Sequence, residues 1–259
     1  MRKALLATGA ISLSSIAGSA LAADMPIGAP WKAPPPAPAF TWTSCYFGAH
    51  VGGGWAQNNI TDPVQLAQDS IIGPGTTVGV TTASISPSGI VVGGQIGCDY
   101  QFASNWVIGV EGAASGSTMK GSAIVGLPAG FAGDQATVSA RTDFIPSVTA
   151  RLGYAIDHML LYAKGGVAWA SDKYSVAGTL TGVSFDFEGL DVRTGWTAGG
   201  GIEWAFSRDW SASVEYDYYS FGTGTVLMSD NINGFTGSLN AKQSIQIVKA
   251  GLNFHVWSW

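Results

Sequence analysis

Nine polar and ionisable residues, His50, Asp99, Glu111, Arg151, Lys164, Glu203, Glu215, Asp217 and Lys249, fall on one parity of alternating segments, each three to seven positions from a segment end. From Glu111 onward the signs run Glu111, Arg151, Lys164, Glu203, Glu215, Lys249, so most acids have a basic neighbour on an adjoining segment. The chemistry this favours is ion pairing in a confined space, because a buried charge is tolerated when it is paired. Other chemistries find less support. His50, His158 and His255 show no metal-ligand spacing, and they read as a lumenal, a turn and a strand-end residue. Gly52-Gly53-Gly54 and Gly199-Gly200-Gly201 lie inside alternating segments and open no helix, which argues against a phosphate cradle. His255 and Ser258 are the only close His and Ser at a rim, and a nucleophile needs such a base on an accessible surface. No cofactor is implied. Cys45 and Cys98, the two cysteines of the chain, stand near the ends of the first two segments.

The elements that would position these residues are strands. Eight alternating segments, each about a dozen residues long, cover Cys45–Trp55, Ile90–Phe102, Trp106–Thr118, Thr142–Ile156, Leu160–Ser171, Arg193–Phe206, Trp210–Phe221 and Ser244–Val256. Within Trp210–Phe221, Ala212, Val214, Tyr216 and Tyr218 alternate with Ser211, Ser213, Glu215 and Asp217, the period-two signal of a strand with one greasy face. Tight turns at Ala103–Asn105, Asp157–Met159 and Ser207–Asp209 alternate with Gly-, Ser- and Thr-rich connections of about twenty to thirty residues. The turns sit inside the brackets FASNW and FSRDW, so Phe102, Trp106, Phe206 and Trp210 form an aromatic girdle at headgroup level. In the third bracket, IDHML, Tyr154 takes that place. Cys45 and Cys98 then point outward beside Phe47 and Ile96 near the same rim, close enough for a disulfide.

The solvent follows from composition. The 259 residues are 46% hydrophobic and 11% charged, with 36 glycines, against about 25% charged residues in ordinary globular proteins. Residues 1–22, with Arg2 and Lys3, a short apolar run and Ala20-Leu21-Ala22, read as a cleaved signal peptide. Residues 23–43, with six prolines, read as a linker in which Trp31 and Trp42 could anchor at an interface, and 44–259 as the folded domain. Cleavage leaves ten basic against seventeen acidic side chains, a charge of −7, which argues against nucleic acid as a partner. Beyond residue 22 no apolar run is long enough for a helical span. A membrane domain must then be a closed barrel, since only helices and barrels satisfy the backbone in lipid. The expected fold is all-β: an eight-stranded antiparallel up-and-down transmembrane barrel with short periplasmic turns and long extracellular loops. So narrow an interior is filled by side chains, leaving at most a thin water path.

The stretches APPPAPAFTWTSCYFGAHVGGGW, VGGQIGCDYQF, WVIGVEGAASGS, TARLGYAID, LYAKGGVAW, GWTAGGGIEWAFSRDWSASVEYDYYSFG and KAGLNF together resemble the small porin-like outer-membrane β-barrel proteins of alphaproteobacteria, a group of abundant surface antigens. The resemblance implies an outer-membrane location in a Gram-negative bacterium and no enzymatic activity. It also implies two partners, the lipid and lipopolysaccharide around the barrel and the machinery that assembles barrels. No motif speaks for or against contact with peptidoglycan or a host surface. Family members usually end on an aromatic in phase with the outward residues; here Leu252 and Phe254 are in phase, Val256 takes that place, and Trp257-Ser258-Trp259 either extend the strand out of phase or curl into the periplasm. A structural surface barrel, weakly conducting at most, is the expected function. The alternatives are a barrel enzyme acting on lipid A and an adhesin working through its extracellular loops.

Overall fold

The computed structural model describes residues 40–61, 82–103, 105–126, 135–180 and 182–258. The signal peptide, residues 23–39 of the Pro-rich segment and the connections around Asp69 and Gly130 lie outside the described residues. The strands are β1 (Ser44–Thr61), β2 (Thr82–Ile85), β3 (Ser88–Phe102), β4 (Trp106–Gly126), β5 (Gln135–Ile156), β6 (Met159–Leu180), β7 (Val183–Ala205), β8 (Trp210–Asp230) and β9 (Thr236–Ser258). From β3 to β9 each strand pairs antiparallel with the next, β1 pairs β3, and β9 returns to pair β1, closing the sheet.

β2 and β3 are one stave of this barrel. Asn58↔Ile85 and Trp55↔Ser88 belong to a single unbroken register on β1, interrupted only at Ser86-Pro87. Proline has no N–H to offer the ladder, yet its carbonyl still accepts from the backbone N–H of Ala56 at 2.8 Å. The wall therefore has eight staves. Tight turns join them at one end, where Ala103 and Asp157 adopt positive φ of 46° and 54°.

Each expected segment lies inside a strand, except that β7 stops one residue short of Phe206. The ladders also run well past the expected ends. Two connections that read as loops in sequence are largely paired strand: β6 and β7 stay paired to Leu180↔Val183, and β8 and β9, past one register shift, to Ser229↔Thr236. Glu188, expected in a loop, pairs with Ser175 inside β7. A bilayer needs about 9–11 residues per strand, whereas β5, β6, β7 and β9 have 22 or 23. The staves therefore stand out of the membrane on the side opposite the tight turns.

The outer surface marks the boundary. Near the turns Phe102, Trp106, Tyr154, Trp204, Phe206 and Trp210 are exposed, with the Trp106 and Tyr154 rings 5.5 Å apart and Trp210 5.1 Å from Phe254. A second aromatic level holds Trp55, Phe144 and Trp196, the last 5.5 Å from Tyr218. Val92, Ile96, Val110, Val148, Leu152 and Val214 face outward between the two levels. On β7, Trp204 and Trp196 are eight residues apart, roughly 26 Å along a strand and about 20 Å along the normal at a tilt of about 40°. This matches a lipid-facing band.

Inside, the side chains are stacked in layers. Trp42, Val107, Ala155, Leu160, Tyr162 and Ala205 close the turn end. The charged residues come next. Above them lies an apolar layer of Ala56, Val91, Met119, Ile145, Ala168, Ala170, Tyr219, Phe221, Ile245 and Ile247. A larger apolar core, including Ile60, Ile85, Val138, Tyr174, Val176, Leu180, Phe185, Phe187, Val226, Met228 and Leu239, fills the part that stands beyond the membrane.

Two sequence expectations change at the turn end. Trp42 is no interfacial anchor: it is buried inside the closing layer, its backbone N–H donating to Gln101 Oε1 at 2.9 Å and its ring N–H to the Asp157 carbonyl at 3.2 Å. Linker residues 40–43 thus pack as part of the barrel. At the other terminus, the register of β1 on β9 shifts at Cys45/Tyr46, so that Trp257 pairs with Cys45 and Ser258 with Ser44. The backbone continues along the wall to Ser258 through that bulge.

Candidate functional site in the barrel lumen

Arg151 and Lys164 organise the charged layer. Arg151 Nη2 lies 2.8 Å from Glu203 Oε2, and its Nη1 lies 3.4 Å from Asp99 and 3.6 Å from Glu111. The guanidinium also donates to the Tyr46 hydroxyl and lies 3.9 Å from the centroid of the Tyr162 ring. Lys164 Nζ reaches Glu215 at 2.6 Å, Glu111 at 3.0 Å and Asp217 at 3.3 Å, and Lys249 Nζ is 3.1 Å from both Glu215 and Asp217. All eight charged side chains are nearly fully buried.

Polar neighbours complete the carboxylate shells. The Tyr46 hydroxyl donates to Glu111 at 2.8 Å and the Tyr162 hydroxyl to Glu215 at 2.5 Å. Ser211 and Asn253 donate to Glu203 at 2.5 and 2.7 Å. His50 joins through Gln95 Oε1 at 2.5 Å and Ser115 Oγ at 2.8 Å, and Gln95 in turn donates to Asn253 at 2.7 Å. Satisfying the remaining lone pairs in this way is what lets a buried ion cluster persist.

The pairing runs across the lumen more than along the wall. Neighbouring-stave partners were expected, and Glu111 is indeed within reach of Arg151, but the shortest ion pairs of Arg151 and Lys164 are to Glu203 and Glu215, two staves away. Arg151 and Lys164 are themselves register partners. Glycines make the crossing possible. Gly109 is the ladder partner of both Asp99 and Arg151, and Gly199 of both Lys164 and Asp217. A methyl group at Gly109 would overlap the Asp99 carboxylate, and one at Gly199 the Asp217 carboxylate.

All nine expected lumen residues therefore converge in one layer. Tyr46, Tyr162, Gln95, Ser211 and Asn253 belong to it too, and the two tyrosines carry no charge that would mark them in a pattern of ion pairs. Their signal was available: both fall on the inward parity with His50 and Lys164. A disulfide joins Cys45 and Cys98, which are register partners on β1 and β3. His158 lies in the β5–β6 turn against Phe40, with the ring centroids 4.6 Å apart. His255 faces Ser44 Oγ at 2.8 Å and Ser211 Oγ at 2.9 Å, one serine on each ring nitrogen. Both serines are buried.

A closed antiparallel wall with an apolar band between two aromatic levels and a charged, side-chain-filled interior defines a transmembrane β-barrel. Residues 32–254 match the model of the outer membrane protein beta-barrel domain, and the chain belongs to that family. Among curated relatives it is 28% identical over 253 residues to the 31 kDa outer-membrane immunogenic protein of Brucella melitensis biotype 1, covering 94% of this chain and 98% of the relative. It is 27% identical over 215 residues to the 25 kDa outer-membrane immunogenic protein of Brucella abortus biovar 1, covering 82% and 79%. Among solved structures, the outer membrane protease OmpT from Escherichia coli is similar at a TM-score of 0.50 and 11% identity, covering 85% of this chain and 99% of that one, a likeness of fold alone. The protein is an outer-membrane β-barrel of a Gram-negative bacterium, with lipid around its waist.

Proposed function

We propose that this protein is a structural surface barrel of the outer membrane whose lumen is sealed and carries neither solute nor catalysis. The observation that supports this most directly is the layering of the interior. The ion cluster is enclosed between the Trp42 layer on the turn side and two apolar layers beyond it. Ions crossing it would have to separate Arg151 and Lys164 from carboxylates at 2.8 and 2.6 Å and then pass through packed hydrocarbon. His255 has serines within hydrogen-bond distance, but Ser44 and Ser211 are buried, whereas a nucleophile must be open to substrate. The charged layer then serves as a polar plug that holds the staves together. The Cys45–Cys98 disulfide and the girdle of Phe102, Trp106, Phe206 and Trp210 set the barrel's turn-side rim.

Single-channel recording in planar bilayers tests this reading, with a heat-modifiability gel to verify that the inserted barrel is folded. The baseline is expected to stay flat. Regular conductance steps from folded protein would overturn the sealed lumen, and a changed acylation pattern in the lipid A of cells carrying the gene would overturn the absence of catalysis.

A further inference from the structure

Just beyond the outer aromatic level, three cations stand in one rung of the wall. Lys120 on β4 is the ladder partner of Arg141 on β5, and Arg141 is the ladder partner of Lys173 on β6. All three lie on the outward parity and reach solvent. Side chains directly opposite on antiparallel strands are about 4.5–5.5 Å apart at Cβ, and like charges there repel. Two carboxylates offset part of that repulsion: Asp143 pairs with Arg141, and Glu188 lies 3.3 Å from Lys173. Lys120 has no ion pair among the described residues.

The rungs on either side of this row are of different chemistry. Two residues farther from the membrane, Ser122, Ser139 and Ser175 form a second rung in the same register, hydroxyls on the same face. Toward the membrane the same staves present Phe144 and Val148, with Ile90 alongside on β3. A surface groove of about 570 Å³ includes Lys120, Arg141 and Lys173 with the three serines, and a second, of about 480 Å³, runs from Lys120 and Arg141 down to Ile90. From lipid to water the order is apolar, cationic, hydroxylated.

We infer that Lys120, Arg141 and Lys173 bind the phosphate of an outer-leaflet glycolipid, the lipid A part of lipopolysaccharide. The order of rungs matches that amphiphile, with acyl chains against Phe144 and Ile90, phosphate on the cations and sugar hydroxyls at the serines. The height matches as well, because the row begins where the lipid-facing band ends. Arginine and lysine are the side chains suited to phosphate oxygens. The inference rests on the wall beyond the second aromatic level being extracellular, and not on whether the lumen is sealed.

Native mass spectrometry of the folded, purified barrel titrated with lipid A tests it. The wild type is expected to retain phosphorylated lipid A, and K120A/R141A/K173A to bind it more weakly by on the order of a hundredfold. Dephosphorylated lipid A should bind the wild type as poorly as intact lipid A binds the triple variant. Lys242→Ala, which removes an outward cation from β9, should leave binding unchanged. A heat-modifiability gel checks folding. Should the triple variant fail to fold, Lys120→Ala carries the test, with a loss of roughly fivefold. Equal binding by wild type and the folded variant, or equal binding of the dephosphorylated lipid, would overturn the site, and displacement by millimolar inorganic phosphate would overturn the glycolipid as its occupant in favour of free phosphate. Conductance steps in planar bilayers would overturn the sealed lumen and leave this outcome untouched.

Discussion

The membrane-embedded half of the barrel and the half that stands beyond it are built from the same staves, and they are inside out with respect to each other. In the first, Val110, Val148 and Val214 face out while Glu111, Thr149 and Glu215 face in. In the second, Lys173 and Glu188 face out while Tyr174 and Phe187 face in. The backbone ladder continues through both on most staves, so the difference is one of solvent. Lipid rewards apolar side chains on the outside and water rewards them on the inside. On β5 and β8 the exchange falls at the register shifts Gly116/Met119, Thr142/Phe144 and Ser220/Gly222, whereas on β6 and β7 one parity stays inward throughout and the residue pattern itself changes over. A bulge shifts the side-chain phase by one residue and sharpens the local twist, which suits a boundary where the demanded parity changes.

The largest loss of stability is expected in the lower half. Arg151→Ala strands Glu203 and Asp99 in the lumen and is expected to cost about 3–5 kcal/mol. The double change Arg151→Met with Glu203→Gln should cost less than the sum of the two single changes. Denaturant titration into lipid vesicles reads both, and additivity would show that the pair is not coupled. The same contrast is sharper on the outer face. Val148→Lys places a charge near mid-bilayer and should cost about 2–4 kcal/mol, whereas Leu190→Lys, on a residue 80% exposed beyond the membrane, should stay within about 0.5 kcal/mol. Equal penalties at the two sites would mean that the bilayer covers both.

Removing the disulfide with Cys45→Ser/Cys98→Ser acts at the turn-side rim and should cost about 2–4 kcal/mol, mainly by freeing the unfolded chain. Hydrogen exchange in the half beyond the membrane should be unaltered, and non-reducing mass spectrometry of the wild type should find no alkylatable thiol. The smallest effect belongs to the tip of the β8–β9 hairpin. Burial raises the affinity of the Asp230 carboxyl for a proton, but the backbone N–H groups of Asp186, Ile232 and Asn233 and the Asn233 side chain outweigh it and hold the carboxyl below its ordinary value. The stabilisation is thus present above the unfolded carboxyl value of about 3.9 and is lost as pH falls through the depressed value. Asp230→Asn should remove that pH dependence and loosen the tip by about 1 kcal/mol, read as faster amide exchange at residues 231–235 with the lower barrel unaffected.

Much of the lower half was legible because lipid enforces a strong pattern. Brackets such as FSRDW place aromatics at both ends of a turn, and alternation as plain as that of Trp210–Phe221 leaves little choice of parity. The upper half was harder. Its inward residues on β5 are Ala136, Val138 and Ala140 against Thr137 and Ser139, a contrast of small side chains that resembles a Gly- and Ser-rich loop. On β7 the exchange was in view: Phe185 and Phe187 hold one parity and Leu190 and Val192 the other, with Gly189 between them.

The order of residues along the chain is enough to specify the eight staves, the turn end, the inward parity of His50, Asp99, Glu111, Arg151, Lys164, Glu203, Glu215, Asp217 and Lys249, and the lipid-facing girdle. All of these follow from local alternation and from the solvent each face must meet. Which charge meets which was decided only by closure. Strand tilt and stagger bring Arg151 to Glu203 and Lys164 to Glu215 across the lumen, a distance that no spacing along the chain encodes. The same closure lines up Lys120, Arg141 and Lys173 in one rung. They are separated by 21 and 32 residues in the chain and become neighbours only because the ladder register sets them side by side.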